Sequence, residues 1–245
     1  MAKSIKRIYY GIIQRIKKIS YSFHKNNICV LMFHDDYTCE NNDNNLNISK
    51  ENFLEFIEKL KKSDVNFVRI NDLLDSKTKK CIITFDDVCE GAVVNAVPIL
   101  RKFEIPYTLF VSTSLIDKKG YITSAQIESL NSDSLCTFGF HTKSHKLMRP
   151  LKETAITDEI DCTEFEKQYG IKCEYFAYPY GSVYACSRKN VNQLKNSKYT
   201  MAFSTINACT NKKIIARNPY YIPRINVCDI SYRAVLDKVN KLSNV

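Results

Sequence analysis

The strongest constraint on the fold of this chain is an alternation of short apolar runs with helical periods, which continues from Asn27 onward. Strands are predicted at 28–33, 66–70, 81–85, 107–111, 135–140, 174–178, 200–204 and 221–227. Buried runs that alternate with helices imply a parallel sheet with helical crossovers. Because at least six such units fit into one domain, the pattern predicts a closed or nearly closed α/β barrel, and the 245 residues match its usual length.

Capping residues place the helices between these strands. Ser49 is predicted to cap one helix, Thr123 and Gln126 to form a capping box, and Gly170 to end a helix that starts near residue 152. Further helices are predicted at 92–103, interrupted or bent at Pro98, at 187–196, and after a cap at Asp229. A short turn of helix is predicted at 71–75. The boundaries divide the chain into an N-terminal helix at 1–26 and a barrel domain at 27–245.

Charge, cysteine usage and hydropathy give expectations about the partners and the location of the protein. The chain has 36 Lys and Arg against 26 Asp and Glu, a formal net charge of +10. It carries no nucleic-acid motif, and much of the charge is local to the N-terminus, so we expect no nucleic-acid partner. Ten scattered cysteines without a CxxC pair suit a reducing compartment, which favours the cytoplasm over the cell surface. No apolar run is long enough for a transmembrane helix.

The N-terminal segment is a basic amphipathic helix. Its apolar positions recur at helical spacing between basic residues: Ile5, Ile8, Tyr9, Ile12, Ile13, Ile16 and Ile19. This pattern is typical of a helix lying on anionic lipid, but it also fits a helix docked on its own core or on a partner protein. On the membrane interpretation, deleting residues 1–23 should weaken vesicle binding and leave activity on soluble substrate. The protein would then be peripheral at the inner membrane face.

Polar residues follow several of the predicted strands. His34-Asp35-Asp36 follows the first, Asp86-Asp87 follows CIITF, His141 follows LCTFGF, and Tyr178-Pro179-Tyr180-Gly181 follows another. In parallel barrels chemistry collects at the C-terminal strand ends, so we expect these groups to share one site.

Two of these groups have the composition of a metal site. Asp86 and Asp87 leave the strand in different directions, so one can bind a metal while the other acts as a base. His141 and His145 stand four residues apart, and on one helical turn both imidazoles would face one ion. Each pattern also has an ordinary structural explanation: a solvated turn or helix cap for the acids, and one core and one surface position for the histidines. An aspartate with two histidines leaves a coordination position open, as in catalytic sites.

TFDD (84–87), HTKSH (141–145) and YPYG (178–181), in this order, resemble the motifs of the polysaccharide deacetylases of carbohydrate esterase family four. The FAYPYG sequence and the LMFH strand end are similar to the poly-N-acetylglucosamine deacetylase branch and its capsule-cluster relatives. The resemblance implies a distorted (β/α) barrel of about seven units that hydrolyses N- or O-acetyl groups of a sugar.

The resemblance also implies roles for individual residues. Asp86 would be the general base, and Asp87, His141 and His145 would be the metal ligands. Thr142 and Ser144 would hold the histidine-bearing turn. Tyr180 would offer its backbone N–H to the oxyanion, with Pro179 fixing that loop.

The chain departs from the family pattern at three places. Many members have an arginine at the position of Ala177, an Asp-and-Trp motif, and a late Leu-x-His motif, whereas this chain has no tryptophan and no histidine after His145. His34 could supply the missing acid, since the histidine of that strand is thought to act so in the similar branch; otherwise it is a packed or capping residue. Arg224 could replace the missing arginine; otherwise it forms a surface ion pair.

These inferences predict a metal-dependent hydrolase that removes acetyl groups, N-acetyl in the first place, from a polysaccharide, oligosaccharide or glycan precursor. Zinc is the expected metal, although the ligand set also suits cobalt, nickel or iron. Four tyrosines are candidates for stacking on sugar rings: Tyr107, Tyr178, Tyr180 and Tyr184. The alternatives are a glycan-binding module that has lost turnover, suggested by the missing motifs, and a related metal-dependent hydrolase of a non-sugar amide.

Overall fold

The computed structural model describes residues 2–34, 46–74 and 78–243. Its centre is one sheet whose paired strands all run parallel. The strands are β1 (Ile28–Phe33), β2 (Asn66–Phe67), β3 (Lys80–Asp86), β4 (Tyr107–Val111), β5 (Cys136–Phe140), β6 (Tyr175–Ala177), β7 (Met201–Phe203) and β8 (Ile225–Asn226). Their order is β7-β6-β5-β4-β3-β1-β8, and β2 pairs with β3 beside this path.

The sheet curls into a barrel because its last segment reaches both ends of the path. Ile225 of β8 pairs with Leu31 of β1. Three residues earlier, Ile222 forms a parallel bridge with Phe203 of β7. The predicted distorted (β/α) barrel is therefore confirmed. Only two residues of the predicted strand 221–227 are strand, because this segment divides its pairing between two neighbours.

Alternation along the strands separates two apolar layers. One cluster joins alternate strand residues such as Leu31, Ile83 and Leu109 to helical residues such as Phe53 and Phe56. The other joins residues of β1, β3, β4, β6 and β7 to one another and fills the barrel interior. Side chains two apart on a strand share a face, so Ile82, Thr84 and Asp86 of β3 all point into the interior. Asp86 thereby places a carboxylate in the barrel interior at the end of β3.

The helices are α1 (Ala2–Ser22), α2 (Lys50–Lys61), α3 (Val97–Lys102), α4 (Ser124–Asn131), α5 (Glu153–Ile160), α6 (Thr163–Tyr169), α7 (Arg188–Lys195), α8 (Lys212–Arg217) and α9 (Tyr232–Asn240). The predicted caps at Ser49 and Ser187, the capping box of Thr123 and Gln126, and the left-handed terminator Gly170 (φ 65°) are confirmed. A short 3₁₀ helix, Ile70–Asp72, occupies the described part of the predicted turn at 71–75.

Two helix predictions need correction. The region from 152 to 169, predicted as one helix, forms two helices, α5 and α6. Between them the Asp161 carboxylate accepts a hydrogen bond from the Thr163 amide (3.0 Å) at the start of α6. Asp229 does not cap α9, which follows Ser231. The Asp229 carboxylate instead accepts from the Ser49 amide and the Asn52 side chain, both at 2.9 Å.

The other differences concern α3 and α8. Residues 92–96 form a π-helix that runs directly into α3, and Pro98, which has no N–H to donate, lies just after the junction. Helix α8 is not among the helices predicted from the sequence; it is capped by the Asn211 side chain, which accepts from the Ile214 amide at 3.0 Å.

Helix α1 packs on the barrel with its more polar side. Tyr10, Gln14, Lys17 and Tyr21 contact the body of the protein. The opposite side exposes apolar residues: Ile8 (63%), Ile12 (51%), Ile16 (59%), Ile19 (53%) and Phe23 (83%). Helix α1 is therefore docked on the barrel, as one of the alternatives from the sequence has it, but through its more polar side and not through these isoleucines. Among the residues that the structure describes, no helix is both long and apolar enough to span a bilayer.

Candidate active site

The predicted polar groups meet at the C-terminal edge of the barrel. Asp86 is the last residue of β3, His34 follows β1 directly, and His141 follows β5. Residues 178–181 follow β6, and Arg224 immediately precedes β8. Asp35 and Asp36 of the predicted cluster lie outside the described residues.

Asp87, His141 and His145 form a compact group of ligand atoms. Asp87 Oδ1 lies 3.3 Å from His145 Nε2 and 3.7 Å from His141 Nε2. One ligand atom from each residue lies within 4.8 Å of the other two. Two imidazole nitrogens and a carboxylate oxygen form a donor set that zinc accepts.

The surroundings of this group fit a cation between the three ligand atoms. Asp87 Oδ1 is buried and has no hydrogen-bond partner among the described residues, and a buried anionic oxygen is costly without one. His141 Nδ1 lies 2.7 Å from the Ala177 carbonyl, so it carries the proton and leaves the Nε2 lone pair facing Asp87. Burial lowers the pKa of His141 despite the nearby Asp86 and Asp87, which favours the neutral imidazole that metals bind.

The turn that carries the two histidines is not helical, contrary to the expectation from their spacing. Thr142 (φ 70°) and His145 (φ 52°) are left-handed. The Thr142 hydroxyl accepts from the His145 amide at 2.9 Å. A turn of this shape brings both rings to one place, with centroids 4.9 Å apart.

Glu159 of α5 braces the same turn, and the sequence analysis does not identify it. Its carboxylate accepts hydrogen bonds from the Ser144 amide (2.9 Å) and the Ser144 hydroxyl. Its carbonyl accepts from the Lys143 amide at 3.0 Å. Glu159 is only 6% exposed, and a buried acid in an amphipathic helix is the signal that could have revealed it.

Asp86 is held by a buried, two-bond ion pair with Arg224. Arg224 Nη1 donates to Asp86 Oδ1 and Nη2 donates to Oδ2, both at 2.6 Å. Arg224 also donates to the Ser204 carbonyl (3.1 Å) and to the Thr84 hydroxyl (3.2 Å). Because Arg224 is fully buried, the alternative of a surface ion pair is wrong.

The ion pair fixes the charge of Asp86. Burial alone would raise the pKa of this carboxyl, but the Arg224 guanidinium, with contributions from His141 and His34, outweighs it and holds the pKa at about 2. The carboxylate is therefore ionised throughout the neutral range. It lies beside the ligand group, with Oδ2 4.0 Å from His141 Nε2.

His34 faces the same cluster. Its Nδ1 is buried and has no hydrogen-bond partner among the described residues, so this nitrogen caps nothing there. Burial lowers the pKa of His34, although Asp86 and Asp87 oppose that shift. Asp86 and Asp87 act electrostatically on this imidazole, so His34 belongs to the same cluster.

The YPYG segment presents one exposed tyrosine to the site. Tyr180 is 60% exposed, and its ring centroid lies 5.2 Å from that of His145. Its backbone is left-handed (φ 62°), and the Tyr180 amide has no acceptor among the described residues. Pro179 precedes it within a turn.

The other three tyrosines predicted as candidates for stacking on sugar rings make contacts within the protein. Tyr178 is buried and donates to the Tyr220 carbonyl at 3.0 Å, so its ring supports the loop. Tyr107 is buried and donates to Asp133 at 2.6 Å. Tyr184 packs edge-on against Tyr10 of α1, with centroids 4.9 Å apart. Only Tyr180 of the four therefore offers a ring beside the ligand group.

A family model described as polysaccharide deacetylase matches residues 74–201, just over half of the chain. This chain belongs to the polysaccharide deacetylase family. The matched range contains the Asp86-Asp87 pair, both clustered histidines and the YPYG segment. His34 and Arg224 lie outside it.

Individual relatives agree with this assignment. Two proteins named poly-beta-1,6-N-acetyl-D-glucosamine N-deacetylase are similar over 215 residues and 72% of their own length. The protein from Staphylococcus aureus (strain MSSA476) is 26% identical over 79% of this chain, and that from Staphylococcus epidermidis is 23% identical over 78%.

Two solved structures share the fold. IcaB from Ammonifex degensii superposes with a TM-score of 0.75 at 22% identity, covering 88% of this chain and 97% of its own. The Streptococcus pyogenes deacetylase PplD, in complex with acetate, gives a TM-score of 0.74 at 20% identity, covering 86% and 97%. The barrel architecture is therefore that of known deacetylases.

The buried ion pair makes a prediction about stability. We expect Arg224→Gln to lower the free energy of unfolding by about 3–5 kcal/mol, because it leaves the Asp86 carboxylate buried without its partner. Urea denaturation followed by circular dichroism measures this loss. Arg101→Gln is the control: Arg101 bonds Asp133 at 2.7 Å but is half exposed, so we expect about 0–1 kcal/mol. Equal losses in both variants would contradict the assigned importance of the buried pair.

Proposed function

We propose that this family member is a metal-dependent hydrolase that removes acetyl groups, N-acetyl in the first place, from a polymer or precursor containing N-acetylglucosamine. The observation that carries the proposal is the arrangement of Asp87, His141 and His145 around one point, with Asp86 ionised beside them. The names of the staphylococcal relatives support the substrate class, and acetate is the ligand named for the streptococcal structure.

Asp87, His141 and His145 would hold the ion. A bound divalent ion supplies Lewis acidity toward water and the acetyl carbonyl. We propose zinc, because two imidazoles and a carboxylate are common zinc ligands; cobalt, nickel and iron fit the same donors.

The protein's own residues would supply proton transfer and charge stabilisation. Asp86, oriented by Arg224, accepts the proton of the attacking water. The Tyr180 amide donates a hydrogen bond to the negative oxygen that develops on the acetyl carbon. His34 donates a proton to the departing nitrogen, which must leave as a neutral amine. Arg224 takes the orienting role of the arginine that the family carries at the position of Ala177.

The glycan-binding alternative loses part of its motivation in this arrangement. It rested on missing motifs, and the contacts of Arg224 and the position of His34 support the proposal that these two residues replace two of them. The non-sugar amide alternative shares the same chemistry, and the choice of assay substrate separates it from the proposal.

We expect Asp86→Asn to reduce acetate release from N-acetylated glucosamine oligomers by about 10²–10⁴-fold, because it removes the proton acceptor. Calorimetric titration should show unchanged zinc affinity, since Asp87, His141 and His145 remain. The variant should fold but melt earlier, because Arg224 keeps only a neutral partner. Asp64→Asn, at a carboxylate that is 62% exposed and paired with Lys79, is the control and should release acetate as the unmodified chain does. Full acetate release by Asp86→Asn would remove this residue from its role.

Replacing His34 separates proton donation from packing. We expect His34→Ala to lose about 10²–10⁴-fold on an N-acetyl substrate, where the leaving nitrogen needs a proton. Hydrolysis of 4-nitrophenyl acetate should fall much less, because nitrophenolate leaves without one. An equal loss on both substrates would indicate a structural role, and normal turnover on both would exclude His34 as the acid.

We also propose a location for the protein: the cytoplasm, at an anionic membrane surface contacted through residues 1–23. The outward isoleucine stripe of α1 supports this, because an exposed apolar helix face indicates an interaction surface. Lys6, Arg15 and Lys18 are exposed on the same helix. Arg15 and Lys18 also line a groove of about 530 Å³ together with Lys238 and Lys241. At a membrane surface the basic residues would contact anionic headgroups, and the apolar stripe would contact the acyl chains. A lipid-linked glycan precursor would be within reach there.

Vesicle sedimentation tests this surface. The double variant Ile12→Gln and Ile16→Gln should lose most of its binding to phosphatidylglycerol vesicles, because both side chains belong to the exposed stripe. Ile230→Gln, which removes an exposed isoleucine (71%) outside α1, should bind normally. High salt should weaken binding by the unmodified chain. Unchanged sedimentation of the double variant would overturn the membrane proposal. If the unmodified chain self-associates and the double variant does not, the stripe binds a second copy of this chain.

A further inference from the structure

Three parts of the chain meet at one arginine beside the candidate site. Arg149 contacts two tyrosine rings that also pack against each other: its guanidinium carbon lies 4.7 Å from the ring centroid of Tyr10 and 4.5 Å from that of Tyr184. Arg149 Nη2 donates to the Tyr10 hydroxyl at 2.5 Å, and Nη1 donates to the Tyr184 carbonyl at 2.9 Å. Stacking and hydrogen bonding act together here, which only a planar guanidinium can supply.

A second contact of α1 reaches the same loop. Gln14 Oε1 accepts a hydrogen bond from the backbone amide of Val183 at 3.1 Å. Tyr10 and Gln14 are four residues apart and share the inner face of α1. Residues 183 and 184 are therefore attached to the N-terminal helix through both main-chain and side-chain groups.

These contacts lie close to the site along the chain. Val183 is three residues after Tyr180, and Arg149 is four residues after His145. On its other side the Tyr180 loop is held by Thr205, whose hydroxyl donates to the Tyr180 carbonyl (3.0 Å) and whose amide donates to the Gly181 carbonyl (2.8 Å). Arg149 and α1 hold residues 183 and 184, and Asn190 of α7 donates to the Ala185 carbonyl at 2.7 Å.

The conformation of Tyr180 needs such support. A non-glycine residue in the left-handed region costs on the order of 1 kcal/mol or more and persists when its surroundings determine it. The direction of the Tyr180 amide depends on this backbone. An amide that stabilises an oxyanion must be placed before the reaction, so any freedom in the loop lowers turnover.

We propose that α1 is a positioning element of the active site, in which Tyr10, Gln14 and Arg149 hold residues 180–186 so that the Tyr180 amide faces the reacting carbonyl. The inference rests on the proposed function for its effect on catalysis, but its structural part is independent. It reverses one expectation from the sequence: deletion of residues 1–23 should lower activity on soluble substrate as well as vesicle binding.

Two exchanges test the positioning role. Gln14→Leu removes the acceptor for the Val183 amide, and Arg149→Met removes the guanidinium that contacts both tyrosine rings. We expect each to lower kcat by about 10- to 100-fold, less than the roughly 10²–10³-fold expected when an oxyanion donor is removed outright. The KM and the zinc affinity should stay close to those of the unmodified chain.

Two controls separate positioning from packing. Gln14→Glu keeps an acceptor for Val183 and should restore most of kcat. Ile12→Gln changes a residue on the outer face of the same helix. It should leave kcat unchanged and lower vesicle binding. Inner-face and outer-face variants should thus affect different measurements.

Hydrogen exchange decides the structural part without any assay of activity. In Gln14→Leu and Arg149→Met, amide exchange should accelerate within residues 180–186 and remain unchanged in β3 and β5. Unchanged exchange in this loop, or an acceleration spread over the strands, would overturn the inference. If the unmodified chain releases no acetate, the proposed function fails while the exchange result still decides whether α1 holds the loop.

Discussion

The buried pair of Asp86 and Arg224 is the interaction on which the architecture of the site depends. Both charges lie inside the barrel, and each is stable there only because the other is present. The pair connects β3 to the segment that closes the barrel before β8. The strand arrangement that closes the barrel and buries Arg224 therefore also holds the pKa of Asp86, the proposed base, at about 2.

The remaining groups are arranged around this pair by turns and loops. The Ala177 carbonyl fixes the proton on His141, Glu159 braces the histidine-bearing turn, and Thr205 holds the Tyr180 loop from one side. None of these supporting groups belongs to the three sequence motifs. Contacts outside the motifs therefore contribute to the placement of the site residues, and in the proposed role of α1 a segment that precedes the barrel in sequence contributes as well.

Much of this arrangement can be predicted from sequence, because strand runs and caps are local signals. The run CIITF with its trailing aspartates locates β3 and the proposed base, and Gly170 marks the end of α6. Non-local contacts are less accessible. The spacing of His141 and His145 suggests a helix, but Thr142 and Glu159 select a left-handed turn. Amphipathicity reveals α1 without showing that its apolar face points outward, which depends on polar partners such as Arg149.

The most direct measurement is a crystal structure of zinc-soaked protein with anomalous data collected on both sides of the zinc absorption edge. The account predicts one strong peak at about 2.0–2.2 Å from Asp87 and both histidine Nε2 atoms, with Asp86 uncoordinated and still paired to Arg224. No peak among these three residues, or a zinc ion that draws Asp86 away from Arg224 into its coordination shell, would contradict the division of the two aspartates into ligand and base.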